Sequence, residues 1–194
     1  MRNSEVQRTT KETEITVKFN IDGKGKAKIA TGIGFLDHML TLFATHGLFD
    51  LEVLARGDLH VDYHHTVEDI GITLGLAISR AMNNLTGINR YGVQTLPMEE
   101  ALCEVVIDFC NRPYLVFNCK FPTEKIGAFD TELIEEFFRA IVVNSGITLH
   151  INVRYGKNSH HIAEAIFKAF GRSLNQATKL NKEIKGVPSS KGLL

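Results

Sequence analysis

Alternation of apolar and polar residues near the start of the chain predicts β-strands. In residues 13–21, isoleucine, valine and phenylalanine alternate with threonine, lysine and asparagine, which is the pattern of a half-buried strand. Residues 4–9 alternate in the same way. The run Asp-Gly-Lys-Gly at 22–25 supplies turn residues, so residues 26–30 are predicted to return as the second strand of a hairpin.

Helical spacing follows these strands. Residues 35–46 carry apolar residues three and four positions apart and are followed by Gly47, which predicts an amphipathic helix with a glycine at its end. Residues 48–55 predict another strand, and residues 66–85 predict a long helix with an apolar inward face.

The second half of the chain repeats this order. It predicts strands at 101–109 and 114–121, a helix at 133–143, a strand at 147–153 and a helix at 163–178. Strand, strand, helix, strand and helix thus occur twice at a spacing near 96 residues, which indicates an internal duplication. We therefore expect an α+β fold of two tandem duplicated halves, residues 1–90 and 91–184, each a sheet with helices packed on one face. A polar, turn-rich tail follows at 185–194.

Composition excludes several classes of function. Lys+Arg and Asp+Glu each number 22, so no charge bias predicts a nucleic acid or an anionic membrane as partner. No apolar run approaches the roughly 20 residues of a membrane helix, and the N-terminus lacks the apolar core of a signal peptide. The three cysteines are widely spaced in β-like runs and are expected to be reduced core residues. We expect a cytoplasmic protein.

Two short elements carry the candidate chemistry. Each is an adjacent histidine pair followed, after two spacer residues, by a glutamate, and we call them the first and second histidine elements. They consist of His64, His65 and Glu68 in the first half and of His160, His161 and Glu164 in the second. Residues three and four apart share a helix face, so both histidines of each pair are predicted to approach the glutamate. Clustered imidazole and carboxylate groups indicate a divalent transition metal.

Each half offers one further donor at an equivalent place. His38 precedes His64 by 26 positions, and Glu136 precedes His160 by 24 positions. The two halves together then offer eight ligands, enough for two octahedral-type ions with positions left open for substrate. Three other histidines lack such partners and are predicted to be structural: His46, His60 and His150.

Further motifs occur in a fixed order between and around these elements. They are RTTKET at 8–13, GFLDHML at 34–40, HGLFD at 46–50, GINRYG at 87–92, RPY at 112–114 and PSSKG at 188–192. With the two histidine elements, they resemble the imidazoleglycerol-phosphate dehydratase family over essentially the whole chain. The resemblance implies a fold of the ribosomal protein S5 domain 2-like type. It also implies a lyase of histidine biosynthesis with two Mn²⁺ ions, built from trimers into a 24-subunit shell with active sites at subunit interfaces.

The resemblance also implies roles for individual residues. D-erythro-imidazole glycerol phosphate would lose water to give imidazole acetol phosphate, with an imidazolate form of the ring expelling the adjacent hydroxyl. Glu12 would be the general base. The other implied catalytic residues are His64, His160 and Glu164, and all eight donors named above would bind metal. The implied substrate-binding residues are Glu12, His38, Arg90, Arg112, Ser190 and Lys191, with the tail completing an active site.

Two positions depart from the family pattern. Many members carry histidine where this chain has Glu136, so one ion would gain a carboxylate ligand and altered metal preference. Tyr63 stands where an aspartate often precedes the histidine pair, and Asp62 or Asp69 is expected to orient the ligand imidazole instead.

Two other classes fit part of this pattern. A dinuclear metallohydrolase would use a metal-bound hydroxide and release phosphate or an amide product. A metal-storage protein of the ferritin-like type would be a four-helix bundle with Glu-x-x-His elements. The alternating strands and the reversed His-x-x-Glu order argue against the second class.

Overall fold

The computed structural model describes residues 2–192, in which each half of the chain forms one four-stranded sheet and two helices. The first half comprises β1 (Asn3–Thr9), β2 (Thr13–Asn20), β3 (Ala27–Ala30), α1 (Gly34–Gly47), β4 (Asp50–Gly57) and α2 (His64–Ala81). Its strands lie in the order β1-β2-β4-β3.

The second half repeats this arrangement. It comprises β5 (Tyr91–Met98), β6 (Ala101–Phe109), β7 (Tyr114–Asn118), the short strands β8 (Lys125–Ile126) and β9 (Phe129–Asp130), α3 (Glu132–Ser145), β10 (Ile147–Tyr155) and α4 (Ser159–Thr178). Its strands lie in the order β5-β6-β10-β7, so the predicted duplicated α+β fold is confirmed. The edge strand β5 was not predicted, because its exposed alternate residues and Pro97 give little apolar signal.

The strand pairing differs from the prediction at β3 and β7. Residues 26–30 were expected to close a hairpin with β2, but β3 instead pairs with β4 in parallel. Likewise, β7 pairs in parallel with β10 rather than with β6. In each half a helix connects the two parallel strands, and such a helical crossover is what a parallel pair requires.

Both long helices begin earlier than their apolar periodicity predicts. The histidine pairs lie inside the first turns, at the start of α2 and of α4, and α2 ends at Ala81 rather than at residue 85. Asp62 Oδ1 accepts the backbone N–H of His64 at 2.7 Å, and Asn158 Oδ1 accepts that of His160 at 2.9 Å. These acceptors satisfy N–H groups that have no partner within the helix.

The two halves pack through their helices. α1 lies on α4 and α2 lies on α3, while the sheets cover the outer sides of this helical layer. Both crossings are close because a glycine faces a backbone carbonyl in each. A Cβ on Gly171 would lie 2.5 Å from the carbonyl oxygen of Phe43, and one on Gly75 would lie 2.8 Å from that of Ile141. The close approach of α1 to α4 brings a first-half side chain to the second histidine element.

The sheet faces opposite the helices are uncovered in the single chain. Leu54, Val93 and Tyr114 are 41%, 48% and 65% exposed. No helix within residues 2–192 is both long enough and apolar enough to cross a membrane.

Candidate active site

Three donors from the two halves meet where α1 crosses α4. Glu164 Oε1 lies 3.1 Å from Nε2 of His38 and 3.1 Å from Nε2 of His160. Glu164 Oε2 accepts a hydrogen bond of 2.5 Å from Nζ of Lys168, one helical turn further along α4. The carboxylate is buried, whereas His38 is exposed and His160 half-buried. We call His38, His160 and Glu164 the crossed cluster.

The electrostatics of the crossed cluster suit a cation. Burial opposes ionisation of Glu164, but hydrogen bonds from Lys168 and His38 outweigh it and lower the pKa of Glu164 to about 2. The group is therefore a carboxylate at neutral pH. One ligand atom from each cluster residue lies within 4.8 Å of the others. Two imidazoles and one carboxylate at this spacing fit a divalent transition metal.

The first histidine element is more open. His64 Nε2 lies 3.8 Å from Oε2 of Glu68, with both side chains nearly half exposed. Glu136, the counterpart of His38, lies on α3, which packs on α2, but its carboxylate is 3.4 Å from Nε of Arg139. Among residues 2–192, no group of three donors within 4.8 Å includes Glu136. Its predicted metal ligation remains a prediction.

The paired histidines of each element diverge. Both were expected to approach the glutamate of their element, and this is wrong for the second histidine of each pair. His65 Nδ1 lies 2.9 Å from Oδ2 of Asp58, and His161 Nδ1 lies 2.7 Å from Oε2 of Glu100. Helix geometry allows both contacts, but Asp58 and Glu100 bind Nδ1 of His65 and His161 and turn these imidazoles away from the i+3 glutamate.

The carboxylate that orients His65 was also predicted at the wrong position. Asp62 accepts the backbone N–H of His64. Asp69 accepts hydrogen bonds from Arg8 Nε at 2.9 Å and from Thr13 Oγ1 at 2.5 Å. Within residues 2–192, neither carboxylate makes a hydrogen bond to an imidazole.

In the part of the chain that the structure describes, Nε2 of His65 and of His161 makes no hydrogen bond. A hydrogen bond from Nδ1–H to a carboxylate leaves the lone pair on Nε2, which is the usual arrangement of a metal-binding histidine. The hydrogen bond to Asp58 raises the pKa of His65, and the one to Glu100 raises that of His161. Hydrogen bonds from His161 and from the backbone of Asn158 lower the pKa of Glu100 to about 2.

Glu12 lies beside the first histidine element. It stands in the turn between β1 and β2, with Oε2 3.7 Å from Nδ1 of His65 and the side chain 53% exposed. Its backbone N–H and that of Thr13 donate to Thr10 Oγ1 at 3.1 and 3.0 Å. The turn is thus fixed while the Glu12 carboxylate is free to meet another molecule.

The predicted phosphate-binding residues lie near one another. Arg90 binds Asp108 through Nε at 2.7 Å and Nη2 at 3.1 Å, and its Nη1 donates to the carbonyl of Pro188 at 2.9 Å. Arg112 lies 3.5 Å from the same aspartate. Ser190 and Lys191 are exposed, and Leu193 and Leu194 lie outside the described residues. The base of the tail is therefore held by its own chain, with the Arg90 guanidinium committed to Asp108 and Pro188.

Sequence reasoning missed three residues around these groups. Asp58 and Glu100 lie 7 and 61 positions from their histidines, and no spacing rule connects them. Lys168 could have been found, since it follows Glu164 by four residues on one helix face. Burial and then the charges of Lys168 and Arg172 lower the pKa of His46, whose structural role stays a prediction.

Comparisons with known proteins identify a single family. The model of the family described as imidazoleglycerol-phosphate dehydratase matches residues 31–174. An imidazoleglycerol-phosphate dehydratase of Acetivibrio thermocellus is 58% identical over 193 residues, covering 100% of this chain and 99% of the relative. The crystal structure of the Staphylococcus aureus imidazoleglycerol-phosphate dehydratase matches with a TM-score of 0.84 and 44% identity, covering 92% of this chain and 99% of that one. IGPD from Pyrococcus furiosus matches with a TM-score of 0.84 and 39% identity, covering 97% of this chain and 100% of that one.

The duplicated fold, the donor clusters and these similarities define the chain as an enzyme of the hydro-lyase class. The alignment with the Acetivibrio thermocellus enzyme runs from end to end, and more than half of the aligned residues are identical. The chain therefore belongs to the imidazoleglycerol-phosphate dehydratase family.

Proposed function

We propose that this enzyme is a manganese-dependent lyase that dehydrates D-erythro-imidazole glycerol phosphate to imidazole acetol phosphate in histidine biosynthesis, with two Mn²⁺ ions per active site. The observation that carries the metal assignment is the crossed cluster, in which His38, His160 and Glu164 converge from two halves of the chain. Family membership supports the substrate. The eight predicted donors are the proposed ligands, including Glu136 in place of an imidazole.

The chain's own residues account for the steps of the reaction. When bound, the ions would supply Lewis-acid stabilisation of negative charge on the imidazole ring of the substrate. Hydroxide leaves the carbon next to the ring, and Glu12 accepts the proton from the neighbouring carbon. The resulting enol becomes the ketone. The position of Glu12 supports this role, because its fixed turn presents a free carboxylate beside His65.

Assembly supplies the missing donors of each ion in this proposal. The divergence of the paired histidines supports it, because Nδ1 of His65 and of His161 is bound by Asp58 and by Glu100 rather than by the glutamate of its own element. One chain therefore offers partial ligand sets that a neighbour can complete. The uncovered outer faces of both sheets, with exposed Leu54 and Val93, also support association. We propose a cytoplasmic 24-mer of trimers with active sites at subunit interfaces.

The phosphate is proposed to bind at the tail. Ser190 and Lys191 are exposed and follow Pro188, whose carbonyl accepts a hydrogen bond from Arg90, and Arg112 lies 3.5 Å from the Asp108 that Arg90 also binds. Phosphate would take charge-assisted hydrogen bonds from Arg112 and Lys191, and Arg90 would contribute positive charge. In this proposal the tail completes an active site on a neighbouring subunit.

Metal reconstitution tests the proposed function directly. Protein stripped of metal, reconstituted with excess Mn²⁺ and desalted should retain two ions per chain and form the keto product from imidazole glycerol phosphate. Protein stripped of metal should be inactive. Release of inorganic phosphate instead of a keto product would identify a metallohydrolase, and full activity with one ion or fewer per chain would contradict the two-ion mechanism.

Loss of the tail is expected to weaken substrate binding. Deleting residues 187–194 should raise KM sharply and leave Mn²⁺ binding intact, since no donor of either histidine element lies there. Lys191→Ala should cost about 1.5–3 kcal/mol of substrate binding if one hydrogen bond to the phosphate is lost. Lys182→Ala is the control, because it alters an exposed lysine that lies just before the tail and outside the PSSKG motif. Equal steady-state kinetics for the deletion and the intact enzyme would contradict the role of the tail.

A further inference from the structure

The two halves carry a matching pair of glutamates that differ in their contacts. Glu12 precedes Thr13, the first residue of β2, and Glu100 precedes Ala101, the first residue of β6. Thr13 pairs with Gly57 across the first sheet, and a Cβ on Gly156 would lie 3.1 Å from Cβ of Ala101 in the second. Each glutamate therefore ends the turn of the first hairpin in its half and lies at an equivalent place.

The glycines confirm the equivalence of these places. A Cβ on Gly57 would lie 2.0 Å from Oγ1 of Thr66, and one on Gly156 would lie 2.6 Å from Cγ1 of Ile162. Thr66 follows His64 by two residues, and Ile162 follows His160 by two residues. Each glycine thus faces the same turn of its histidine-bearing helix.

The residues that follow the two glycines explain the difference. Asp58 follows Gly57 and accepts the hydrogen bond of His65 Nδ1 at 2.9 Å. Lys157 follows Gly156, and a lysine side chain has no acceptor to offer an imidazole. In the second half the hairpin glutamate, Glu100, makes the contact instead.

The carboxylate of Glu100 is fully occupied. Oε2 lies 2.7 Å from His161 Nδ1, and Oε1 accepts the backbone N–H groups of Lys157 at 3.1 Å and Asn158 at 2.8 Å. Glu12, in contrast, lies 3.7 Å from His65 Nδ1, and Asp58 already binds that nitrogen.

We propose that Asp58 and Glu100 are positioning residues that hold His65 and His161 as the tautomer with Nε2 free for metal, and that Asp58 thereby leaves Glu12 available to the substrate. The inference rests on the proposed function in that it takes the histidine elements as metal ligands. It adds that only one of two equivalent hairpin glutamates can accept a proton, so the two halves contribute unequally to the reaction.

The contacts of Glu100 make glutamine an informative substitution. Only an oxygen can accept the two backbone N–H groups, so Glu100→Gln would keep its single oxygen there and turn its NH₂ group to Nδ1 of His161. That arrangement favours the tautomer with the proton on Nε2, which cannot bind metal. In Asp58→Asn the oxygen on Nδ1 can stay, because the other oxygen of Asp58 has no hydrogen-bond partner among the described residues.

Titration of the metal-free oligomer with Mn²⁺, followed through the paramagnetic resonance signal of the free ion, tests the proposal. Glu100→Gln should lower the affinity for one of the two Mn²⁺ ions by about 10–100-fold, and Asp58→Asn should lower Mn²⁺ affinity less. Glu100→Asp should retain more affinity than Glu100→Gln because it keeps a carboxylate. Glu124→Gln is the control, since it removes the same charge from an exposed glutamate that belongs to no donor group among residues 2–192. All four variants should keep the unfolding temperature of the metal-free wild type.

Three outcomes separate the inference from the function on which it rests. Wild-type affinity in Glu100→Gln would overturn the inference while the proposed function stands. Equal weakening by Glu124→Gln and Glu100→Gln would also overturn it, because the loss of one negative charge would then explain the effect. A wild-type enzyme that binds no Mn²⁺ would instead contradict the proposed function. If Glu100→Gln does not fold, Asp58→Asn and Glu100→Asp decide the question. Mn²⁺ affinity below that of the wild type in these variants would support the inference, and wild-type affinity in both would overturn it.

Discussion

Replacing His160 with alanine is expected to abolish dehydration without unfolding the chain. His160 lies in the first turn of α4, and its Nε2 is 3.1 Å from Glu164 in the crossed cluster. Its side chain is 40% exposed, so its loss creates no cavity in the core. Lewis-acid stabilisation is worth several kcal/mol, and losing about 4 kcal/mol of it would lower kcat/KM roughly 10³-fold.

A histidine outside the clusters provides the control for this loss. His150 lies in the middle of β10. Two donor groups are found among residues 2–192, the crossed cluster and the group of Glu99, Glu100 and His161, and His150 belongs to neither. His150→Ala should therefore retain activity and the full complement of Mn²⁺. Comparable loss of activity in His150→Ala and His160→Ala would indicate a general structural defect rather than the loss of a ligand.

Mixing two inactive variants tests whether sites are shared between chains. His64→Ala damages the first histidine element, and His160→Ala damages the second. If one active site combines the first element of one chain with the second element of another, oligomers reassembled from both variants contain some intact sites. Reassembly should then restore part of the activity. No recovery, with mixed oligomers verified by mass spectrometry, would contradict active sites at subunit interfaces.

Much of the fold follows from local patterns in the sequence. The α+β duplication could be predicted because apolar periods of two and 3.6 alternate in the same order in both halves. The parallel pairing of β3 with β4 could not, because a turn-rich segment such as 22–25 does not specify which strand its successor joins. The edge strand β5 was missed because Gly92 and Gln94 occupy inward positions while Tyr91 and Val93 are exposed, so apolar residues do not mark its buried face.

The candidate site was predictable only as far as spacing along helices reaches. The i, i+4 contacts of His64 with Glu68 and of His160 with Glu164 follow from helix geometry. The contact of His38 with Glu164 spans 126 positions and depends on the crossing of α1 with α4. The same holds for Glu100, which reaches His161 from a hairpin turn. Sheet registers and helix crossings fix these contacts, and neither can be read from one segment.

Neutralising Glu12 is expected to remove catalysis while leaving metal binding intact. The reaction needs a base for a carbon-bound proton, and loss of a general base typically costs 10²–10⁴-fold. Glu12 has the position for it, because its turn is fixed through Thr10 and its carboxylate is free of the bonds that occupy Glu100. Glu12→Gln keeps the size of the side chain, so kcat should fall by about 10²–10⁴-fold with little change in KM.

The Glu14→Gln control and the Mn²⁺ content of Glu12→Gln show whether activity is lost with the base or with the metal. Glu14→Gln removes an equivalent charge from an exposed position on β2 and should have nearly normal kcat. Glu12→Gln should bind two Mn²⁺ ions with wild-type affinity, because Asp58 rather than Glu12 makes the hydrogen bond to His65. Glu100→Gln is expected to behave in the opposite way, losing metal affinity first. If Glu12→Gln instead loses Mn²⁺ in proportion to its activity, Glu12 supports the metal site and the base must be sought elsewhere.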